Sequence, residues 1–397
     1  MTTEVTSENS INFNWPELGS PGNENHIPAD HLDRARIAEF LTNYLAAEGK
    51  ARNYVLNVNA QWGAGKTYFI NRWKKTIQNL YPVVYIDAWQ QDYSDDPLLT
   101  VISSIFEQLE QQHPSPGDPK VRKATKGLLG MFKVATPFIA KAVIQKASGV
   151  DTDQLSDELE WKADGTLNGV AGDISGKIVE GLIRDHSTKR DAIQHFKTQI
   201  ALWLDEITKQ GNPCEKPLFV FIDELDRCRP NYAVEMLEVI KHLFDIKGVV
   251  FVVATDTEQL QHAVRVVYGA GFDASTYLGR FFNRRITLSC GEIRNYIQNL
   301  QSYQLLQSKV IGKEGFWPFS LTEQKLLEQI AVPIETYALD LRTSERIIDT
   351  IAAIVIDASK SSVGLNLLFI GILLCMREAD HPLFELVITQ QLWTESP

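Results

Sequence analysis

Three stretches of this chain are apolar without interruption for the length of a strand: "PVVYIDAW" (82–89), "KPLFVFID" (216–223) and "VVFVVATD" (249–256). A strand with one wet face alternates apolar and polar residues, so an unbroken run suits a sheet covered on both faces. Each run precedes a segment of helical period: "SDDPLLTVISSIFEQLEQ" (94–111), "NYAVEMLEVIKHLFDIKG" (231–248) and "TEQLQHAVRVVYG" (257–269). In the first, Asp96 before Pro97 is a strong helix start, because the carboxylate accepts free backbone amides and proline fits the first helical position. Strands alternating with helices give a parallel sheet flanked by helices, an α/β fold.

A fourth strand, "NYVLNVNA" (53–60), runs straight into "AQWGAGKT" (60–67), and "TYFINRWKKTIQNLY" continues as a helix. Strand, glycine turn, lysine and hydroxyl at a helix start are the parts of a phosphate-binding loop. The turn aims successive backbone N–H groups at phosphates, and the helix N-terminus adds a favourable dipole. Gln61, Trp62, Gly63, Ala64, Gly65, Lys66, Thr67 and Tyr68 are therefore candidate nucleotide-binding residues. Lys66 would reach the β- and γ-phosphates, and Thr67 would ligate Mg²⁺. Ala60 stands where the pattern has its first glycine. A Cβ there costs about 1 kcal/mol, or is tolerated if φ stays negative.

The run at 216–223 ends in the pair Asp223 and Glu224, 157 positions beyond Lys66 (223 − 66). Asp223 is a candidate Mg²⁺ ligand and Glu224 a candidate to orient or deprotonate the attacking water. Acids commonly follow strands as helix caps, but beside a glycine loop that reading weakens. At the end of the next strand, Thr255 or Asp256 is placed to sense a γ-phosphate, with helix capping by Asp256 an equal alternative. Arginines cluster in "YLGRFFNRRITL" (Arg280, Arg284, Arg285) and "LDLRTSERII" (Arg342, Arg346). Of these, Arg280, Arg284 and Arg342 are candidates to stabilise charge on a transferring phosphoryl group, from the same subunit or a neighbour.

The formal net charge of -11 argues against nucleic acid as a bulk ligand. The cysteines Cys214, Cys228, Cys290 and Cys375 have no ligand or redox spacing and read as reduced thiols of a cytoplasmic protein. The polar, acidic N-terminus is not a signal peptide. "VGLNLLFIGILLCM" (363–376) is too short to span a bilayer and reads as a core helix. "GLLGMFKVATPFIAKAVI" (127–144) is interrupted by Lys133 and Lys141; peripheral membrane contact through it is not favoured, since stable surface binding needs a second signal. The expected division is a polar arm at 1–29, a nucleotide-binding core at 30–290 with an insertion at about 112–185, and a helical lid domain at 291–397. Within the core, 30–49 reads as a helix capped by Asp30 and ended by Gly49.

With these parts in this order, the sequence resembles the KAP family of P-loop NTPases, in the additional-strand group that also holds the AAA+ and STAND proteins. "WGAGKT", "YIDAWQQDYSDDPL", "FIDELDRCRP", "VVFVVATDTEQL" and "YLGRFFNRRITL" carry the resemblance, over roughly residues 30–350. It implies a core that binds and hydrolyses ATP with Mg²⁺, serving as a molecular switch or assembly platform; several bacterial members are linked to exclusion of phage. By position, Lys66 and Thr67 match the family's phosphate and Mg²⁺ residues, Asp223 and Glu224 its acidic pair, and Asp226, Arg227 and Cys228 its extended signature. The family often has membrane helices between its two main motifs, where this chain has the 127–145 segment; that favours a soluble member and makes the segment a candidate docking surface. The expectation is an Mg²⁺-dependent ATPase acting as a conformational or assembly switch, with a protein partner and self-association. The alternative is a non-hydrolysing ATP-binding scaffold that recruits a partner.

Overall fold

The computed structural model describes residues 11–19, 26–94, 96–112, 186–209, 214–243, 246–289, 291, 293–317, 321–358 and 364–389. Beyond Gln112, the expected insertion and its 127–145 segment lie outside the described residues, as does most of the N-terminal arm.

Five strands form the main sheet: β1 (Tyr54–Asn59), β2 (Val83–Asp87), β3 (Leu218–Asp223), β4 (Val249–Thr255) and β5 (Arg284–Thr287). Their order is β2-β3-β4-β1-β5. The strand that feeds the glycine loop is thus separated from the acid-bearing strand by β4. Parallel register sets Val83 opposite Phe219, Asp87 opposite Asp223, and Leu218 opposite Val249. Every residue of β3 and β4 is buried, which is why neither alternates.

The described chain falls into two compact units. One contains Thr42–Asn57 and Lys74–Arg285. Its core joins the sheet to the helices at Pro97–Gln112, His186–Ile207, Pro230–Leu243 and Thr257–Tyr268. Leu98, Val101, Ile102, Ile105 and Leu109 form the buried stripe of the first of these, at the spacing its sequence dictates. The other unit contains Asn12–Leu41, Val58–Trp73 and Ile286–Pro397. Its core is built by helices Ile293–Gln298, Gln301–Val310, Glu323–Thr336, Leu341–Ala358 and Leu367–Ala379. No described helix is long and apolar enough to cross a membrane.

The first helix, α1 (Arg34–Ala51), departs from its expected bounds at both ends. Asp30 takes the amides of Leu32 and Ala35, so the regular helix opens four residues later. Gly49 does not stop it. A Cβ at Gly49 would lie 2.6 Å from Val250 Cγ2 and 2.8 Å from Pro217 Cγ, so glycine here permits close packing and the helix continues past it.

Candidate nucleotide site

The loop and the residues that shape it lie in the second unit. Strand β1 ends at Asn59, and helix α2 (Lys66–Ile77) opens on the lysine itself. Between them, Gly63 and Gly65 hold φ at +75° and +79°, the left-handed region that side chains disfavour. Ala60 is not among the residues with positive φ, so its buried methyl avoids the cost that a left-handed first turn would impose. Ala64 N–H donates to Gln61 O at 3.3 Å, and Phe69 N–H donates to Gly65 O at 3.1 Å as the helix begins. The start of α2 carries the positive end of the helix dipole.

Lys66 is buried and donates from Nζ to Ala60 O at 2.7 Å and Gln61 O at 3.3 Å. Its ammonium is thereby held at the head of the loop. Thr67 is half-buried one position on, while Gln61 and Trp62 are exposed. The Tyr68 hydroxyl donates to Pro28 O at 3.0 Å, and burial pushes its pKa up to about 12, which keeps it a neutral donor.

Two residues that sequence reasoning passed over hold the loop. Arg34, 1% exposed, donates to Ala64 O at 2.5 Å and to Gly65 O at 3.0 Å. Asp340 lies against Gly63: a Cβ at that glycine would fall 1.9 Å from Asp340 Oδ1. The same carboxylate caps helix Leu341–Ala358, accepting from Thr343 N at 3.0 Å and Thr343 Oγ1 at 2.7 Å. Arg342 is exposed on the first turn of that helix. No signal in the sequence marks Arg34, because the expected helix opens at residue 30 and only the observed start at Arg34 sets this cation at the end of the helix.

The acidic pair lies in the first unit, at the end of β3. Asp223 is fully buried and accepts from Glu224 N–H at 2.9 Å, with the Tyr85 hydroxyl at 3.5 Å from its other oxygen. Lys74 stands over the Tyr85 ring, its Nζ 4.1 Å from the centroid; burial lowers its pKa and the charge of Asp223 opposes that shift. Glu224 sits at φ 60°, ψ 22°, a left-handed corner that costs a non-glycine residue about 1 kcal/mol. Its Oε2 pairs with Arg227 Nε at 2.6 Å, and the Arg227 guanidinium lies 5.6 Å from the Trp89 ring centroid.

Asp256 caps helix Thr257–Tyr268, accepting from Glu258 N at 3.1 Å and Gln259 N at 3.4 Å. Of its two expected tasks, capping is the one this geometry displays. Beside it, buried Asn57 cross-links β1 to β4. Its amide donates to Val253 O at 3.1 Å and Thr255 Oγ1 at 2.9 Å, and its carbonyl accepts from Thr257 Oγ1 at 3.2 Å. Asn57 reads in the sequence as an ordinary polar position of a strand. Asn57→Ala is expected to cost about 2–4 kcal/mol, since buried partners lose their bonds, and chemical denaturation will measure it. Arg280 and Arg284 are exposed; the guanidinium of Arg284 lies 5.5 Å from the Tyr44 ring centroid. Arg346 is paired with Glu378 at 2.6 Å.

The loop fits a nucleotide triphosphate. Two glycines turn its backbone, a helix start follows, and an ammonium stands at its head. Taken separately, the Asp223 carboxylate in the first unit and the Thr67 hydroxyl in the second are donor types that Mg²⁺ takes. A parallel sheet flanked by helices with this loop at the end of β1 defines a P-loop NTPase domain of the α/β class. The chain belongs to the KAP family: the family's P-loop domain model matches residues 34–355. It is 24% identical over 275 residues to the phage T7 exclusion protein of Escherichia coli strain K12. That match takes in 66% of this chain and 34% of the relative, so the chain spans about a third of that relative's length. Among solved structures, the Aeropyrum pernix ORC2 protein in its ADPNP-ADP complexes is 12% identical at a TM-score of 0.38, over 90% of this chain and 71% of that one. C. elegans PCH-2 is 10% identical at a TM-score of 0.32, over 87% and 69%.

Proposed function

We propose that this chain is an Mg²⁺-dependent ATPase whose turnover drives a change of conformation or assembly, in the service of phage exclusion. The observation that carries the reading is the loop itself: two left-handed glycines followed at once by a helix that opens on Lys66 and Thr67. The name of the related exclusion protein supports the biological setting. In this reading the loop amides and Lys66 bind the β- and γ-phosphates. Thr67 and Asp223 would hold Mg²⁺, which would neutralise charge on the phosphate oxygens. Glu224 orients and deprotonates the water that attacks the γ-phosphorus, as the bond to the β,γ-bridging oxygen breaks and ADP leaves. In the same reading Asp256 would sense the γ-phosphate, and Arg280, Arg284 or Arg342 would supply positive charge in the assembled state.

Glu224→Gln tests the chemistry. Hydrolysis is expected to fall by at least about 100-fold, because water activation is lost. Bound ATP should dissociate no faster than from the wild type. Equal turnover in the two proteins, measured as phosphate release, contradicts the assignment.

One observation favours a second reading, a non-hydrolysing scaffold that binds ATP and recruits a partner. Glu224 is tied to Arg227 at 2.6 Å, a contact that its carboxylate would have to give up to engage a water. Single-turnover hydrolysis near zero, together with compaction on adding ATP, decides for the scaffold; hydrolysis within seconds decides against it.

A further inference from the structure

We propose that Arg34 is a positioning residue for the phosphate loop, fixing the orientation of two of its peptide planes. The inference rests on reading the loop as an ATP site. It follows from the geometry of a trans peptide, in which the C=O of one residue and the N–H of the next point in opposite directions. Ala64 O and Gly65 O both accept from the Arg34 guanidinium. The N–H groups of Gly65 and Lys66 therefore point away from Arg34, to the other side of the loop. Those are two of the amides a phosphate would need.

Three features show that the contact is built. Arg34 is 1% exposed, and both of its Nη groups are spent on the loop, one on Ala64 O and the other on Gly65 O. A Cβ at Gly65 would lie 2.6 Å from Arg34 Nη1, so the close approach depends on glycine at that position. The preceding residue, Asp33, holds φ at 54°, a left-handed turn that brings the chain into α1 with Arg34 as its first residue. Without the guanidinium, glycine-flanked peptides are free to flip, and a flipped plane presents a carbonyl to phosphate where an amide is needed. Arginine suits the task because its planar fork reaches two adjacent carbonyls at once; lysine offers a single point.

The test compares the full chain with Arg34→Met, Arg34→Lys and Lys66→Ala. It measures ATP affinity by calorimetry, KM and kcat for hydrolysis, and thermal unfolding without nucleotide. Arg34→Met is expected to weaken ATP binding at least about tenfold, and Arg34→Lys about three- to tenfold, with KM rising more than kcat falls. A merely structural role would lower the amount of folded enzyme, and so the apparent kcat, while leaving KM unchanged. ATP affinity and KM within twofold of the wild type in either folded Arg34 variant overturn the proposal. If Arg34→Met does not fold, Arg34→Lys decides on the same measure. If the wild type fails to bind ATP, or Lys66→Ala binds it equally well, the ATP reading itself falls, a result distinct from a silent Arg34.

Discussion

Lys66→Ala removes ATP hydrolysis by a factor of about 100 or more and weakens ATP binding by at least tenfold, the size expected for losing a buried charge at a phosphate site. The expectation comes from where the ammonium sits. It is buried at the head of the loop and donates to Ala60 O and Gln61 O, so it is already desolvated and aimed. A lysine in water would have to shed its hydration shell to engage a phosphate; this one has exchanged that shell for carbonyls whose grip is weaker than an anion's. The same bonds imply a modest cost to the empty protein. Two carbonyls lose a partner, worth about 1 kcal/mol each. Thermal unfolding without nucleotide should move by only a few degrees, and calorimetry with ATP should show the large effect. A variant that keeps wild-type affinity would remove the loop from the account.

Gly63→Ala is expected to be nearly as damaging, through a different cause. The methyl would meet Asp340 Oδ1 at 1.9 Å and Cγ at 2.5 Å, and the backbone is held at φ +75°. The left-handed conformation alone costs about 1–2 kcal/mol for a side chain. Asp340 cannot simply swing aside, since its carboxylate caps the following helix through Thr343, an arrangement worth about 1 kcal/mol. Either the loop opens or the cap breaks. ATP affinity should fall more than tenfold and the midpoint of thermal unfolding should drop. Adding Asp340→Ala to Gly63→Ala should recover part of the stability by relieving the clash, a coupling that a double-mutant cycle reads directly. Strict additivity of the two substitutions would show that the contact has no energetic weight.

What was legible in the sequence was local. Lys66 and Thr67 follow the glycines within a few residues, and the buried strands announce themselves by lacking alternation. Ala60 was open to two outcomes, and the sign of its φ decided between them. The restraints on the loop were not legible, because each comes from far along the chain. Arg34 is 31 positions from Gly65 (65 − 34), and Asp340 is 277 from Gly63 (340 − 63). An arginine at a helix start and an aspartate before a helix have ordinary surface roles, and only packing selects otherwise. Asn57 was hidden for the same reason: its three partners lie on or just beyond β4, about 200 residues away. Gly49 was misread because a glycine that permits contact and a glycine that ends a helix look alike in one dimension.

That contact at Gly49 also reaches beyond this one chain, into how its relatives can vary. The space for a methyl at position 49 is occupied by the side chains of Val250 and Pro217. A relative carrying alanine at 49 must make room by carrying something smaller at 217 or 250, or by separating the helix from the strand. The three positions should therefore change in concert along the family tree, and an aligned set of relatives in which 49 varies freely while the other two stay fixed would contradict the packing described here.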